Sequence, residues 1–194
     1  MRPKNTMKGA SMDLLTAIDT RSSAVRLADP PPSRLHLERI LQSGVRAPDH
    51  GRLAPARFVV LETEGMKRLG DAMAQAFQRT TAGATPEQLE AERKKAFRAP
   101  VVIAVAARLN REHKVPVVEQ LSAVSAGVQN MFLTAHALGY GAMWKTGGVA
   151  YDPAVNMALG LQPDDQIVAF LYLGTAVGKG PVKPATLDGV VSWT

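Results

Sequence analysis

The 194-residue chain is 46% hydrophobic with a formal net charge of +6, enough apolar material for one domain with a real core or for a core that a partner completes. It has no cysteine, which excludes disulfides, thiolate-held metal clusters and thiol nucleophiles and fits a reducing, cytoplasmic setting. No apolar run reaches the roughly 18 to 20 residues of a membrane helix, and three Tyr and two Trp without basic–aromatic alternation make a poor nucleic-acid platform despite the positive charge.

Met1–Ser11 carries Arg2, Lys4 and Lys8 with no apolar stretch behind them. It reads as a flexible basic extension rather than a signal peptide, leaving residues 12–194 as one domain. Met12–Asp19 predicts a first helix with Leu14, Leu15 and Ile18 on its apolar side. The chain turns polar at Arg21–Ser23, and Asp29-Pro30-Pro31-Pro32 is a stiff connector. Ser33 caps a helix from Arg34 to about Gly44, with Leu37, Ile40 and Leu41 inward. Arg57–Leu61 is short and β-branched, hence a strand. Met66–Phe77 is helical, with Leu69, Met73, Ala76 and Phe77 along one side.

Thr85-Pro86-Glu87-Gln88 is the sharpest local signal. Threonine caps, proline takes the first helical position and glutamine reaches back. That charged helix runs to about Phe97, and its mixed acids and bases form a solvated face. Val101–Ala106 is a continuous apolar strand suited to a sheet covered on both sides. Ser122–Leu138 is apolar on more than one side and predicts a central helix. Gly139–Gly148 reads as a tight, glycine-lined turn carrying Trp144, Lys145 and Thr146. A helix follows from Asp152-Pro153 to Leu159, then a core strand at Ile167–Leu173. Val190–Trp193 is a late apolar stretch, a candidate terminal strand reaching a second subunit.

Three polar segments could carry chemistry. Arg21-Ser22-Ser23 offers a guanidinium and two hydroxyls beyond a helix end, a phosphate-binding set or an ordinary polar turn. Arg46 and His50 flank Ala47-Pro48-Asp49 in a probable loop. Trp144-Lys145-Thr146, beside glycines, suits a flat molecule with polar edges. The four histidines show no metal-ligand spacing, His136 suits a structural role, and neither a Walker loop nor GxGxxG occurs.

Taken together, Arg21–Pro30, Arg46–His50, Phe97-Arg98-Ala99-Pro100, His113-Lys114-Val115-Pro116, Trp144–Gly147 and Phe170–Thr175 resemble the nitroreductase family of flavoproteins over nearly the whole chain from Met12. The resemblance implies an α+β fold, a central mainly antiparallel sheet flanked by helices, in an intertwined homodimer with FMN at the subunit interface. It implies that Arg21, Ser22 and Ser23 hold the FMN phosphate. Arg46 and His50 are then contacts from the other subunit, and Trp144, Lys145 and Thr146 lie beside the flavin ring. Arg52 and Lys183 are further cations that the resemblance does not place.

The implied activity is FMN-dependent, ping-pong transfer of reducing equivalents from NAD(P)H to a nitroaromatic, quinone or related small acceptor, with no catalytic side chain and no metal. An FMN-binding relative not driven by NAD(P)H is the alternative. Many family members carry Asn-x-Gln-Pro-Trp after the second helix. Here Arg52-Leu53-Ala54-Pro55-Ala56 stands there, which bears on pocket shape and substrate choice.

Overall fold

The computed structural model describes residues 12–178, 180–182 and 184–194. The basic extension Met1–Ser11 and Lys183 lie outside the described residues. The helices are α1 (Leu14–Thr20), α2 (Arg34–Gly44), α3 (Thr63–Thr80), α4 (Pro86–Lys94), α5 (Val117–Ala137) and α6 (Pro153–Ala158). The strands are β1 (Arg26–Ala28), β2 (Ala56–Leu61), β3 (Val101–Ala107), β4 (Gly141–Lys145) and β5 (Gln166–Val177). They form one antiparallel sheet in the order β1-β5-β3-β2, with β4 also paired to β5. This is the expected α+β arrangement of a central antiparallel sheet between helices.

The local signals act as their chemistry requires. The Ser33 hydroxyl accepts from the His36 N–H at 3.3 Å and starts α2. Thr85 and Gln88 form a reciprocal capping box at α4. Every residue of β3 is buried because both faces of the sheet are covered. Alternation along β5 sends Phe170 and Tyr172 into one core with Leu69 and Met73 of α3. Leu171 and Leu173 enter the other, with Ile40 of α2 and Val128 and Met131 of α5.

Helices α2 and α5 approach so closely that glycine is needed at the contact. A Cβ on Gly127 would lie 2.7 Å from the Gly44 carbonyl oxygen, and one on Gly44 would lie 2.8 Å from the Met131 sulfur. The first clash is with backbone and cannot be relieved by a rotamer change. Gly127→Ala should therefore lower stability by about 1–3 kcal/mol despite alanine's better helix propensity. Chemical denaturation checks this, and an unchanged midpoint would show that the helices separate freely.

Two expectations are corrected. Gly139–Gly148 is not one turn, since its middle is strand β4. Gly141 serves close packing: a Cβ there would lie 2.7 Å from Leu27 and 2.8 Å from the Ala176 side chain. Val190–Trp193 forms no strand; the chain turns near Leu187–Val190 and stays exposed. The apolar side of α1 is uncovered within the chain, only Ala17 being buried there.

Candidate functional site

The Arg21–Ser23 turn begins where α1 stops. The Arg21 N–H still donates to Ala17 at 3.1 Å, then the backbone becomes extended. The Arg21 guanidinium lies over the Phe132 ring of α5, 4.7 Å from its centre, which orients it by a cation–π contact. Thr20 Oγ1 and His136 Nε2 are 2.9 Å apart. Burial, and then the positive charge of Arg21, push the His136 imidazole below its ordinary value, so it stays neutral at pH 7. The expected structural role of His136 thus has a partner and a reason. Gly180 presses on the turn from the other side, where an added Cβ would fall 2.2 Å from the Ser23 carbonyl oxygen. A cavity of about 600 Å³ opens here, lined by Thr20, Ser22, His136, Tyr140, Gly178 and Gly180.

One backbone hydrogen bond joins this turn to β4: the Ala24 N–H donates to the Ala142 carbonyl at 2.9 Å. Strand alternation then divides the next residues. Met143 belongs to the α3-side core, while Trp144 packs into the core under α2 and α5 and donates its indole N–H to Val168 at 3.1 Å. The Trp144 side chain is therefore turned away from Met143, and the cavities are lined by its neighbours Met143, Lys145 and Thr146. Lys145 and Thr146 are exposed.

Gly147 adopts φ 97° and ψ 178°, a region almost closed to residues with a Cβ. Open space faces both Gly147 and Gly148. A cavity of about 790 Å³ lies beside them, reached by Phe77, Arg98, Lys145, Gly147, Tyr151 and Tyr172. A second, of about 530 Å³, is lined by Val25, Arg26, Phe97, Arg98, Met143 and Lys145. The two share Arg98 and Lys145. Both are within the size range of small-molecule and cofactor pockets.

Arg46 and His50 stand elsewhere. Both are exposed beyond the end of α2, and His50 Nδ1 lies 2.6 Å from Glu119 Oε2 on α5. Neither lines the cavities around Arg21–Ser23 or Lys145–Gly148. Arg52 and Ala54 have φ of 54° and 48°, and the loop is held by Asp49 accepting from the Ala54 N–H at 2.7 Å. His113 serves its own turn, accepting from the Val115 N–H at 3.0 Å. Arg98 and Tyr172 were not among the expected site residues. Arg98 stood in the Phe97–Pro100 segment, but placing Tyr172 on the cavity side requires the register of β4, which the glycines disguised.

An antiparallel sheet between two helical layers, with the Arg21–Ser23 turn bonded to β4, defines the class of protein. The Nitroreductase family profile matches residues 18–175, and the chain belongs to the nitroreductase family. The "Putative NAD(P)H nitroreductase YdjA" of Escherichia coli K12 is 40% identical over 164 residues, 84% of this chain and 88% of that protein. A nitroreductase-like family protein from Bacillus cereus superposes with a TM-score of 0.83 at 24% identity, covering 94% of this chain and 96% of its own. A crystal structure described as a putative nitroreductase in complex with FMN, from Desulfovibrio desulfuricans, has a TM-score of 0.72 at 28% identity, covering 93% and 95%. No helix among the described residues is long and apolar enough to cross a membrane.

Proposed function

We propose that the protein is an FMN-dependent NAD(P)H oxidoreductase that passes reducing equivalents to nitroaromatic, quinone or related acceptors. The observation that carries this reading is the Ala24–Ala142 hydrogen bond, which ties the Arg21–Ser23 turn to β4, the strand that leads into Lys145–Gly148, in a chain of this family. The flavin named for the Desulfovibrio relative supports it.

The residues present fit FMN. Arg21, Ser22 and Ser23 offer a cation and two hydroxyls for its phosphate, and no acidic side chain pairs with Arg21 among the described residues. The segment Trp144-Lys145-Thr146 borders the place of the ring, where the open faces of Gly147 and Gly148 allow close approach. Arg46 and His50 complete the site from a second copy in a homodimer. FMN supplies hydride acceptance and delivery at its N5. This chain's residues position the two substrates in turn, in ping-pong order. Lys145 offers positive charge to the electron-rich edge of the reduced state. No side-chain nucleophile is required, and the setting is cytoplasmic.

The test is anaerobic stopped-flow mixing of FMN-loaded protein with NADH and with NADPH, followed by a nitroaromatic or a quinone. Bleaching of the flavin by at least one nicotinamide and its return with the acceptor are expected. Failure of both nicotinamides to reduce a fully loaded protein would reject this reading in favour of a flavoprotein not driven by NAD(P)H.

A further inference from the structure

The 790 Å³ cavity continues past the Lys145–Gly148 turn to the surface of α3, and the donors Arg98, Lys145 and Tyr172 are part of its lining. Its two acids are engaged: Glu92 pairs with Lys95, and Asp152 with Arg79. Arg98 and Lys145 have no acidic partner within ion-pair distance among the described residues. Tyr172 is only 2% exposed, yet it lines the cavity. Its hydroxyl makes no hydrogen bond among the described residues, and it is not sealed away from the cavity space. The hydroxyl is therefore open to whatever fills the cavity, water or ligand.

In β5, Tyr172 stands opposite Val102 of β3 and Met143 of β4, and its side chain belongs to the α3-side core. Burial pushes the phenol up to about 12, with the charge of Arg98 pulling weakly the other way. It therefore remains a donor at neutral pH. Met73, Ala76 and Phe77 supply an apolar wall along α3.

We propose that this cavity receives an aromatic carboxylate, with the carboxylate accepting from the Tyr172 hydroxyl and the Arg98 guanidinium, Lys145 adding charge, and the ring against Met73, Ala76 and Phe77. Resting on the oxidoreductase reading above, this makes nitroaromatics or quinones that also bear a carboxylate the preferred acceptors, the nitro or quinone group taking the electrons and the carboxylate only anchoring the molecule next to the Lys145–Gly148 turn. Arg98 gives a planar fork suited to a carboxylate, and a neutral hydroxyl beside it adds no further charge to be neutralised.

Titration calorimetry on FMN-loaded, full-length protein without nicotinamide tests the site. The probes are 2-naphthoate and its neutral isostere 2-naphthamide. Naphthoate is expected to bind at least about tenfold more tightly than the amide. Tyr172→Phe, which keeps the ring, and Arg98→Met, at an exposed position, should each weaken naphthoate by about tenfold and the amide, whose carbonyl makes only a neutral contact, by less. Equal affinity for the two probes, or naphthoate binding indifferent to both substitutions, overturns the assignment. Flavin reduction by NADH and NADPH is read separately on the same protein. Reduction without carboxylate preference removes the cavity's assignment alone, and carboxylate binding without reduction removes the nicotinamide reading alone.

Discussion

Arg21→Ala is expected to weaken FMN binding by about 10- to 100-fold, or about 1.5–3 kcal/mol, while leaving the fold intact. The guanidinium is held over Phe132 and meets no acidic side chain among the described residues, so its charge is available to a phosphate. Neutral His136 nearby adds no second full charge that could substitute for it. Arg21→Lys should recover part of the affinity, because it restores the charge without the planar fork. Flavin fluorescence titration of the three proteins gives the dissociation constants. An alanine variant that binds FMN as tightly as the parent would remove Arg21 from the phosphate site.

The helices were legible in the sequence because their ends carry local chemistry. Ser33 and the Thr85–Gln88 box act through side chains that reach only three residues, so no tertiary knowledge is needed to read them. Strand β3 was legible for the opposite reason: seven consecutive buried apolar residues admit little but a central strand. Strand β4 was not, because its glycine answers to Leu27 and Ala176, residues far away in sequence. With β4 hidden, the alternation that separates Trp144 from Lys145 was hidden too, and the tryptophan read as part of a ligand wall. Strand β1 is three residues long and exists through its pairing with β5, a partner some 150 positions later. Among the site segments, Arg21–Ser23 and Lys145–Thr146 were readable as residue types. Their joining through Ala24 and Ala142 is a product of the fold.

Removing residues 184–194, or replacing Leu15 by glutamate, is expected to convert a homodimer into monomers and to lower FMN occupancy in parallel. Leu14, Leu15 and Ile18 are 66%, 70% and 50% exposed on α1, and Val190 and Trp193 are 74% and 91% exposed near the other end of the chain. Large apolar side chains left this open within one chain are what a partner surface covers. The site gives an independent reason. Arg46 and His50 lie beyond α2, outside the cavities that adjoin the Arg21–Ser23 and Lys145–Gly148 turns, so one chain alone does not bring the two sets together. If a second copy supplies them, assembly and cofactor retention are thermodynamically linked, and each stabilises the other by mass action. Leu15→Glu places a charge on the exposed face of α1 without touching the Arg21 turn or either core, and so separates loss of assembly from loss of fold. Sedimentation velocity with absorbance at the flavin band reads oligomer and occupancy together. A variant that sediments as a monomer at micromolar concentration yet keeps its full complement of FMN would show that one chain is a complete site.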